Sequence, residues 1–207
     1  PLGVVGVIVP WNFPVSLMGN KIAPALLCGN TIVVKLSPTT PLSGIRVVQL
    51  IHEAGLPPGV LNVVTGSVKT LGEALVEHPR VAKISFTGST ATGRRIMEVA
   101  GRDIKRVTLE LGGSDPMIVC DDANMDKAVT AALWGRFFNC GQACLAVKRL
   151  YVFKDIYEPF VTKLLERTHT LKLGSGLESD TRMGPMHMAE RRQEMEEQIQ
   201  DALDKGA

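Results

Sequence analysis

The regular alternation of apolar strand-like runs with helix-like segments over residues 1–112 constrains the fold more than any other feature of this chain. The runs are rich in Val and Ile and are bounded by Gly or Pro, which is typical of strands buried on both faces. Strands that alternate with helices predict right-handed crossovers and a parallel sheet. The predicted strands lie at residues 4–9, 31–35, 60–64, 81–86 and 107–111, and the predicted helices at 16–27, 42–54, 70–77 and 90–100.

A second α/β region is predicted after the pair Gly112-Gly113. Its strands are expected at residues 116–120 and 149–153, and its helices at 125–138, 156–171 and 190–205. We therefore predict two domains, residues 1–112 and 113–207. The first residue is Pro1, which opens almost directly into an apolar strand, so we expect an interior piece of a longer protein.

Composition and charge exclude several classes of function. The net charge is only +2, no basic stripe is present, and two Tyr and two Trp offer little base stacking, so we expect no nucleic-acid partner. The longest apolar runs, such as residues 3–10, are too short to span a membrane, so no membrane partner is expected. Four cysteines without a CxxC pair indicate a reduced, cytoplasmic setting.

Polar or glycine-rich tripeptides follow every predicted strand of the first domain. Because the carboxyl ends of parallel strands meet at one edge of a sheet, these tripeptides predict a nucleotide crevice there. They are residues 10–12 (PWN), 35–37 (KLS), 65–67 (TGS), 87–89 (TGS) and 110–112 (ELG).

Three features of this edge remain open from the residues alone. Residues 88–93 (GSTATG) start a helix and fit either a phosphate site or an ordinary tight turn, because they match neither the dinucleotide fingerprint nor a P-loop. Lys35 is either a lysine that emerges at a strand end or a cation at the crevice mouth. Asn12 is either an oxyanion donor on a turn bounded by prolines or a turn asparagine that bonds its own backbone.

The strongest chemical signal is Cys144, a thiol in a glycine-flanked turn, with Glu110 at a strand end upstream. A thiolate attacks carbonyl carbon well, and a carboxylate can move protons, so the pair predicts a cysteine nucleophile with a glutamate base. Cys140 lies four residues before Cys144, and both could instead be buried apolar cysteines. The four histidines are scattered, which argues against a cysteine–histidine dyad and against a metal site.

Five motifs in order resemble the aldehyde dehydrogenase superfamily, and the resemblance covers essentially the whole chain. They are residues 10–14 (PWNFP), 33–35 (VVK), 86–90 (FTGST), 109–113 (LELGG) and 141–144 (GQAC). The resemblance implies a Rossmann-like NAD(P)-binding domain at residues 1–112, followed by part of an α/β catalytic domain at 113–207. It also implies a small aldehyde as substrate and a full-length parent that is a homodimer or homotetramer.

The resemblance implies a role for several residues. Cys144 is similar to the nucleophile that forms a thiohemiacetal and then a thioester, and Glu110 to the base that activates water for hydrolysis. Asn12 and the backbone amide of Cys144 resemble the oxyanion hole, and Lys21 matches a lysine near the proton path. Lys35 resembles the residue that binds the adenosine ribose. The other implied cofactor-binding residues are Ile8, Val9, Pro10, Trp11, Ser37, Gly66, Gly72, Phe86, Thr87, Gly88, Ser89, Gly93, Glu110, Leu111 and Gly112.

Departures from the family pattern concern the cofactor. Many NAD-preferring members carry an acidic residue three positions after the lysine, and here that position is Pro38. A carboxylate there would repel a 2′-phosphate, so its loss predicts that NADP is accepted or preferred. Ser67-Val68 replaces a second glycine after Gly66, which predicts an altered adenine pocket.

Two other functions are compatible with the sequence. One is a truncated nucleotide-binding fragment without turnover, and the other is an acylating relative in which coenzyme A or phosphate resolves the thioester; Glu110 favours water. The aldehyde is not identified by the sequence. Trp134, Phe138 and Leu145 could line what is present of a substrate tunnel, although ordinary core packing explains Trp134 equally well.

Overall fold

The computed structural model describes all residues, 1–207, and the chain divides into two compact units, Pro1–Gly112 and Gly113–Ala207. The first unit contains five strands: β1 (Val4–Ile8), β2 (Thr31–Lys35), β3 (Leu61–Val64), β4 (Val81–Thr87) and β5 (Arg106–Glu110). Its helices are α1 (Pro14–Leu27), α2 (Pro41–Glu53), α3 (Glu73–Glu77) and α4 (Thr90–Arg102).

All five strands pair in parallel, in the order β3-β2-β1-β4-β5. The predicted parallel sheet is therefore confirmed. Ile8 of β1 pairs with Lys35 of β2 on one side and with Phe86 of β4 on the other. The strand order reverses at β1, which is the position where sheets of this type open a crevice beyond their carboxyl ends.

The sheet is covered on both faces because side chains alternate along each strand. Val5, Val7 and Val9 belong to one buried cluster with Met18 of α1 and Val48 of α2. Ile8 belongs to the opposite cluster, which contains Leu75 of α3 and Ile96 of α4. This arrangement explains why β1 reads as a continuous apolar run rather than as an alternating one.

Three helical segments of the first unit start earlier in the chain than predicted. Helices α1 and α2 begin at Pro14 and Pro41, because proline is preorganised for a first helical turn and loses no hydrogen bond there. The predicted helix 70–77 is instead a π-helical turn, Val68–Gly72, that runs into α3. The hydroxyl of Ser67 accepts a hydrogen bond from the backbone amide of Thr70 and starts this turn early.

The second unit pairs two parallel strands, β6 (Asp115–Val119) and β7 (Val147–Val152). Helices α5 (Met125–Phe137) and α6 (Tyr157–His169) pack against them around the buried side chains of Val119, Val129 and Phe160. Helix α7 (Ala189–Asp204) is charged and buries none of its residues. None of the helices combines the length and the apolar character that crossing a membrane would require.

Candidate functional site

A cavity of about 480 Å³ opens at the carboxyl edge of the first unit's sheet. The loops that follow β1, β2 and β4 form its walls together with the π-helical turn and the start of α4. Most of the residues implied for cofactor binding line it: Ile8, Val9, Pro10, Trp11, Lys35, Ser37, Gly72, Phe86, Thr87, Gly88 and Ser89. Gly66, Gly93, Glu110, Leu111 and Gly112 do not line it.

Lys35 ends β2 but does not emerge into solvent, since only 2% of it is exposed. Its Nζ donates a hydrogen bond to the carbonyl of Leu36 at 3.2 Å. No carboxylate pairs with this ammonium, and burial lowers the pKa of Lys35 below its ordinary value. An ammonium has three donors, so this buried cation retains capacity for a hydroxyl or an anion in the cavity.

Thr87 and Ser89 present hydroxyls at the same wall. The Thr87 Oγ1 atom is buried without a hydrogen-bond partner, which is uncommon in a folded protein. Ser89 caps α4, where its Oγ accepts from the amide of Thr92 at 3.2 Å. A helix start beside an unsatisfied hydroxyl fits an oxygen-rich ligand such as a pyrophosphate.

The charges around the cavity favour an anion. Arg95 is paired, with Glu73 at 3.5 Å and with Glu98 at 3.1 Å. Lys35 and Lys69 line the cavity and take part in no ion pair. Pro38, the position where an acidic residue was expected for an NAD-preferring member, lines the same cavity. The wall therefore has an excess of positive charge.

Glu110 and Lys21 interact electrostatically within the first unit. Burial lowers the pKa of Lys21, the attraction of Glu110 opposes this shift, and the repulsion of Lys83 adds to it. Lys21 is 9% exposed, whereas Glu110 is an exposed residue at the last position of β5. The Glu110 carbonyl accepts a hydrogen bond from the amide of Gly88 at 3.0 Å, which ties this strand end to the β4 turn.

Asn12 makes the contact expected of a turn asparagine. Its Oδ1 accepts from the amide of Phe13 at 3.2 Å. This bond uses the acceptor end of the side chain and not its NH₂ donor. The turn contact is therefore compatible with a donor role for the same side chain.

Cys144 lies in the second unit, after a turn with unusual backbone geometry. Asn139, Cys140 and Gly141 all have positive φ, at 51°, 57° and 71°. Glycine and asparagine adopt left-handed backbone readily, but for most other residues it costs about 1–2 kcal/mol, so Cys140 is the strained position. The Lys148 Nζ donates to the carbonyls of Ala143 at 3.3 Å and Cys144 at 3.1 Å, which fixes the chain around the thiol.

Neither thiol of the pair is fully buried. Cys140 and Cys144 are both of intermediate exposure, so the interpretation of two buried apolar cysteines is wrong. The Cys140 Sγ donates to the carbonyl of Gly184 at 2.8 Å, and burial raises the pKa of this thiol above its ordinary value. The Cys140 thiol is therefore engaged in a tertiary hydrogen bond to the Gly184 carbonyl.

Trp134 and Phe138 stack at the end of α5, with ring centroids 4.6 Å apart. Trp134 is 63% exposed and Phe138 41%, so core packing does not explain Trp134. Leu145 is 65% exposed. The three side chains are thus available at the surface of the second unit.

Sequence reasoning missed several cavity residues, above all Lys69, Glu73 and Arg95. The position of Arg95 in the cavity wall could have been predicted, because this residue lies near the start of a helix that the sequence predicts. Lys69 depends on the π-helical turn, for which the sequence carries no helical period. The remaining missed residues are Val76, Ala91, Thr92, Ile96 and Val99, whereas Val68, predicted to alter the adenine pocket, does line the cavity.

The strand order and the cavity place the first unit in the class of Rossmann-like α/β folds. A sequence model described as the Aldehyde dehydrogenase family matches residues 1–207. The chain therefore belongs to the aldehyde dehydrogenase family.

Individual relatives agree with this assignment. The chain is 48% identical over its whole length to a phenylacetaldehyde dehydrogenase of Pseudomonas fluorescens and covers 41% of that protein. It is 46% identical over its whole length to the succinate-semialdehyde dehydrogenase [NADP(+)] GabD of Escherichia coli strain K12, of which it covers 43%. The chain thus spans about two fifths of the length of these curated relatives.

Solved structures confirm the fold. The crystal structure of an E. coli NADP-dependent enzyme matches with a TM-score of 0.97 and 46% identity, over all of this chain and 43% of that one. The betaine aldehyde dehydrogenase of Staphylococcus aureus, in complex with NAD+, matches with a TM-score of 0.96 and 41% identity, over all of this chain and 41% of that one.

Proposed function

We propose that this chain forms part of an NAD(P)-dependent dehydrogenase that oxidises an aldehyde to a carboxylic acid. The observation that carries the proposal is the buried Lys35 ammonium, which forms no ion pair and lines a cavity at the carboxyl edge of a parallel sheet. Membership of the aldehyde dehydrogenase family supports the same activity.

The residues around the cavity fit a dinucleotide. Lys35 would bind ribose hydroxyls, and Ser89 at the start of α4 would contact the pyrophosphate. Thr87 supplies a buried hydroxyl that otherwise has no partner. Gly88 keeps the turn close to the strand, because a Cβ there would lie 2.4 Å from the Phe86 ring.

The chemistry is assigned to four side chains, those of Cys144, Asn12, Glu110 and Lys21. The Cys144 sulfur forms a bond to the aldehyde carbon and gives a thiohemiacetal, whose oxygen would be stabilised by the Asn12 amide and the Cys144 backbone amide. When bound, the cofactor accepts the hydride that turns this adduct into a thioester. Glu110 takes a proton from water, which attacks the thioester, breaks the carbon–sulfur bond and releases the acid. Lys21, whose charge Glu110 stabilises, would belong to the path by which the proton leaves.

We further propose that NADP is accepted, and preferred over NAD. Pro38 removes the carboxylate that would repel a 2′-phosphate, and the unpaired charge of Lys35 and Lys69 attracts one. The E. coli relative named for NADP(+) supports this preference.

The activity is tested with the full-length protein, a panel of small aldehydes and either cofactor, while the absorbance of the reduced cofactor is followed. Cys144→Ala is expected to abolish reduction, and Cys140→Ser to retain most of it. Equal loss in both variants would overturn the assignment of the nucleophile. If the product formed with coenzyme A present is an acyl-coenzyme A thioester and not the free acid, the enzyme transfers the acyl group to coenzyme A and does not hydrolyse the thioester.

The full-length protein is proposed to be a cytoplasmic homodimer or homotetramer with a small aldehyde as its substrate. Four free cysteines without a disulfide support the reduced compartment. Light scattering on the purified protein measures the oligomeric state, and a monomer would contradict the proposal.

A further inference from the structure

The left-handed turn at residues 139–141 is held against residues 184–187 through Cys140 and Gln142, and the proposed chemistry uses neither side chain. At the first, the Cys140 Sγ donates to the carbonyls of Gly184 at 2.8 Å and of Pro185 at 3.5 Å. At the second, the Gln142 Oε1 accepts from the backbone amide of His187 at 3.1 Å. The two segments are more than forty positions apart in sequence, so these bonds are tertiary contacts.

The side-chain amide of Gln142 bonds both the turn at residues 139–141 and the segment at residues 184–187. While its Oε1 accepts from His187, its Nε2 donates to the carbonyl of Asn139 at 3.0 Å. The backbone amide of Gln142 also donates to that carbonyl at 3.0 Å, and the Asn139 Nδ2 donates back to the Gln142 carbonyl at 3.3 Å. The side-chain amide of Gln142 thus closes the turn at Asn139 and anchors it to His187.

The backbone needs such support because Cys140, the middle of its three left-handed residues, is neither glycine nor asparagine. Left-handed conformations of such residues persist only where surrounding contacts over-determine them. If the contacts are removed, the turn relaxes toward ordinary backbone angles. Cys144 lies two residues after Gln142, so a relaxation of the turn moves the thiol.

Gly141 limits the ways in which the turn can relax. A Cβ at this position would lie 2.6 Å from the guanidinium of Arg136, so the chain passes close to α5 here. On the other side of the turn, Lys148 holds the carbonyls of residues 143 and 144. Between these flanks, the Gln142 side-chain amide bonds both the turn, at Asn139, and the distant segment, at His187.

We propose that Gln142 is a positioning residue, which clamps the strained turn 139–141 to residues 184–187 and thereby holds the Cys144 thiol where it can attack an aldehyde. This inference rests on the proposed role of Cys144 as the nucleophile. Cys140 assists the clamp to a lesser degree, because a thiol is a weak hydrogen-bond donor. A misplacement of about 1 Å at a reacting group can cost about 100-fold in rate, so the clamp acts on turnover.

Two substitutions of the full-length protein test the clamp. Gln142→Met keeps the length of the side chain and removes both amide bonds. Gln142→Glu keeps an acceptor for the His187 amide but loses the donor to Asn139. We expect kcat to fall about 10- to 100-fold in the first variant and by less in the second, while KM for the cofactor stays within about twofold. The matched control is Gln193→Met on the exposed face of α7, which is expected to leave kcat and KM unchanged.

A second readout needs no turnover. Iodoacetamide is added to the free protein, and alkylation of Cys140 and of Cys144 is quantified by peptide mass spectrometry relative to the exposed Cys120. Cys140 is expected to be protected in the native protein and to react several-fold faster in Gln142→Met, with the rate at Cys144 also changed. If Gln142→Met keeps both its kcat and the protection of Cys140, the clamp is refuted.

The two proposals fail in different ways. If the native protein oxidises no aldehyde but the alkylation of Cys140 responds to Gln142→Met, the proposed function is wrong and the clamp exists without that role. If the native protein is active and Gln142→Met lowers kcat and thermal stability and raises KM for the cofactor well beyond twofold, the residue is structural only and the positioning role is refuted.

Discussion

Leu111 fills the space that a side chain at Gly93 would occupy. A Cβ at position 93 would lie 2.6 Å from the Leu111 Cδ2 atom. Gly93 is buried on α4 and Leu111 directly follows Glu110, the last residue of β5, so this contact sets how closely the end of β5 packs on the helix. Both residues, implied for cofactor binding by the resemblance, therefore contact each other rather than line the cavity.

We expect Gly93→Ala to lower the free energy of unfolding by about 1–3 kcal/mol, because overpacking forces Leu111 into another rotamer. Activity should fall further than stability alone explains, since Glu110 moves with its neighbour. Urea denaturation and kcat measure the two effects. Gly101→Ala on the same helix is the control: no atom lies within 4 Å of its Cβ, so stability should be unchanged or raised by up to about 1 kcal/mol.

Replacement of Lys35 by Met should weaken NADP binding by at least about tenfold, which corresponds to about 1.4 kcal/mol. The fold should tolerate the change, because Met has a similar length and removes a buried cation that has no carboxylate partner. Isothermal titration calorimetry measures the affinity, and thermal denaturation measures the stability. Undiminished NADP affinity in a folded variant would show that the cavity does not bind the ribose through Lys35.

NADP binding should be coupled to proton uptake at Lys35. Burial lowers the pKa of this lysine from 10.5, and an anionic ligand stabilises the ammonium and raises the pKa again. Affinity should therefore fall as pH rises through the window below 10.5. Calorimetry in two buffers of different ionisation enthalpy measures the protons taken up. Lys35→Met should abolish the dependence on buffer.

The lowered pKa of Lys35 also makes the stability of the free protein depend on pH, but in the direction opposite to the NADP affinity. Between the lowered pKa and 10.5, the unfolded chain binds the Lys35 proton and the folded chain does not. The contribution of this group to the free energy of unfolding therefore rises with pH in that window. Urea midpoints of native protein and Lys35→Met across this range should diverge in that direction, and parallel pH profiles would contradict it.

Lys69 should contribute to the discrimination between the two cofactors. Lys69→Met is expected to weaken 2′,5′-ADP binding about three- to tenfold and to leave 5′-AMP binding within about twofold, because only the former carries the 2′-phosphate. Titration calorimetry with both nucleotides measures the ratio. Lys127→Met, at an exposed position of α5, is the control for a general loss of positive charge. Equal weakening of both nucleotides would argue against a 2′-phosphate contact.

The sequence was sufficient to predict those strands and helices that are defined by the residue types within them. Val- and Ile-rich runs between Gly and Pro placed β1 to β5, and the polar tripeptides behind them placed the edge at which the cavity opens. Cys144 and Glu110 stood out because reactive residue types lie in glycine-rich turns. Local signals were not sufficient for Lys69, since a π-helical turn has no period that a sequence can reveal.

The amino-acid sequence alone determined the parallel sheet, the position of the cavity edge and the family resemblance, because each depends on residue types that act over a few neighbouring positions. Tertiary structure decided the burial of Lys35, the contact of Leu111 with Gly93 and the left-handed turn before Cys144. The reason is physical: these features depend on segments distant in sequence that exclude water from a cation, occupy space beside a glycine, or supply hydrogen bonds to strained backbone.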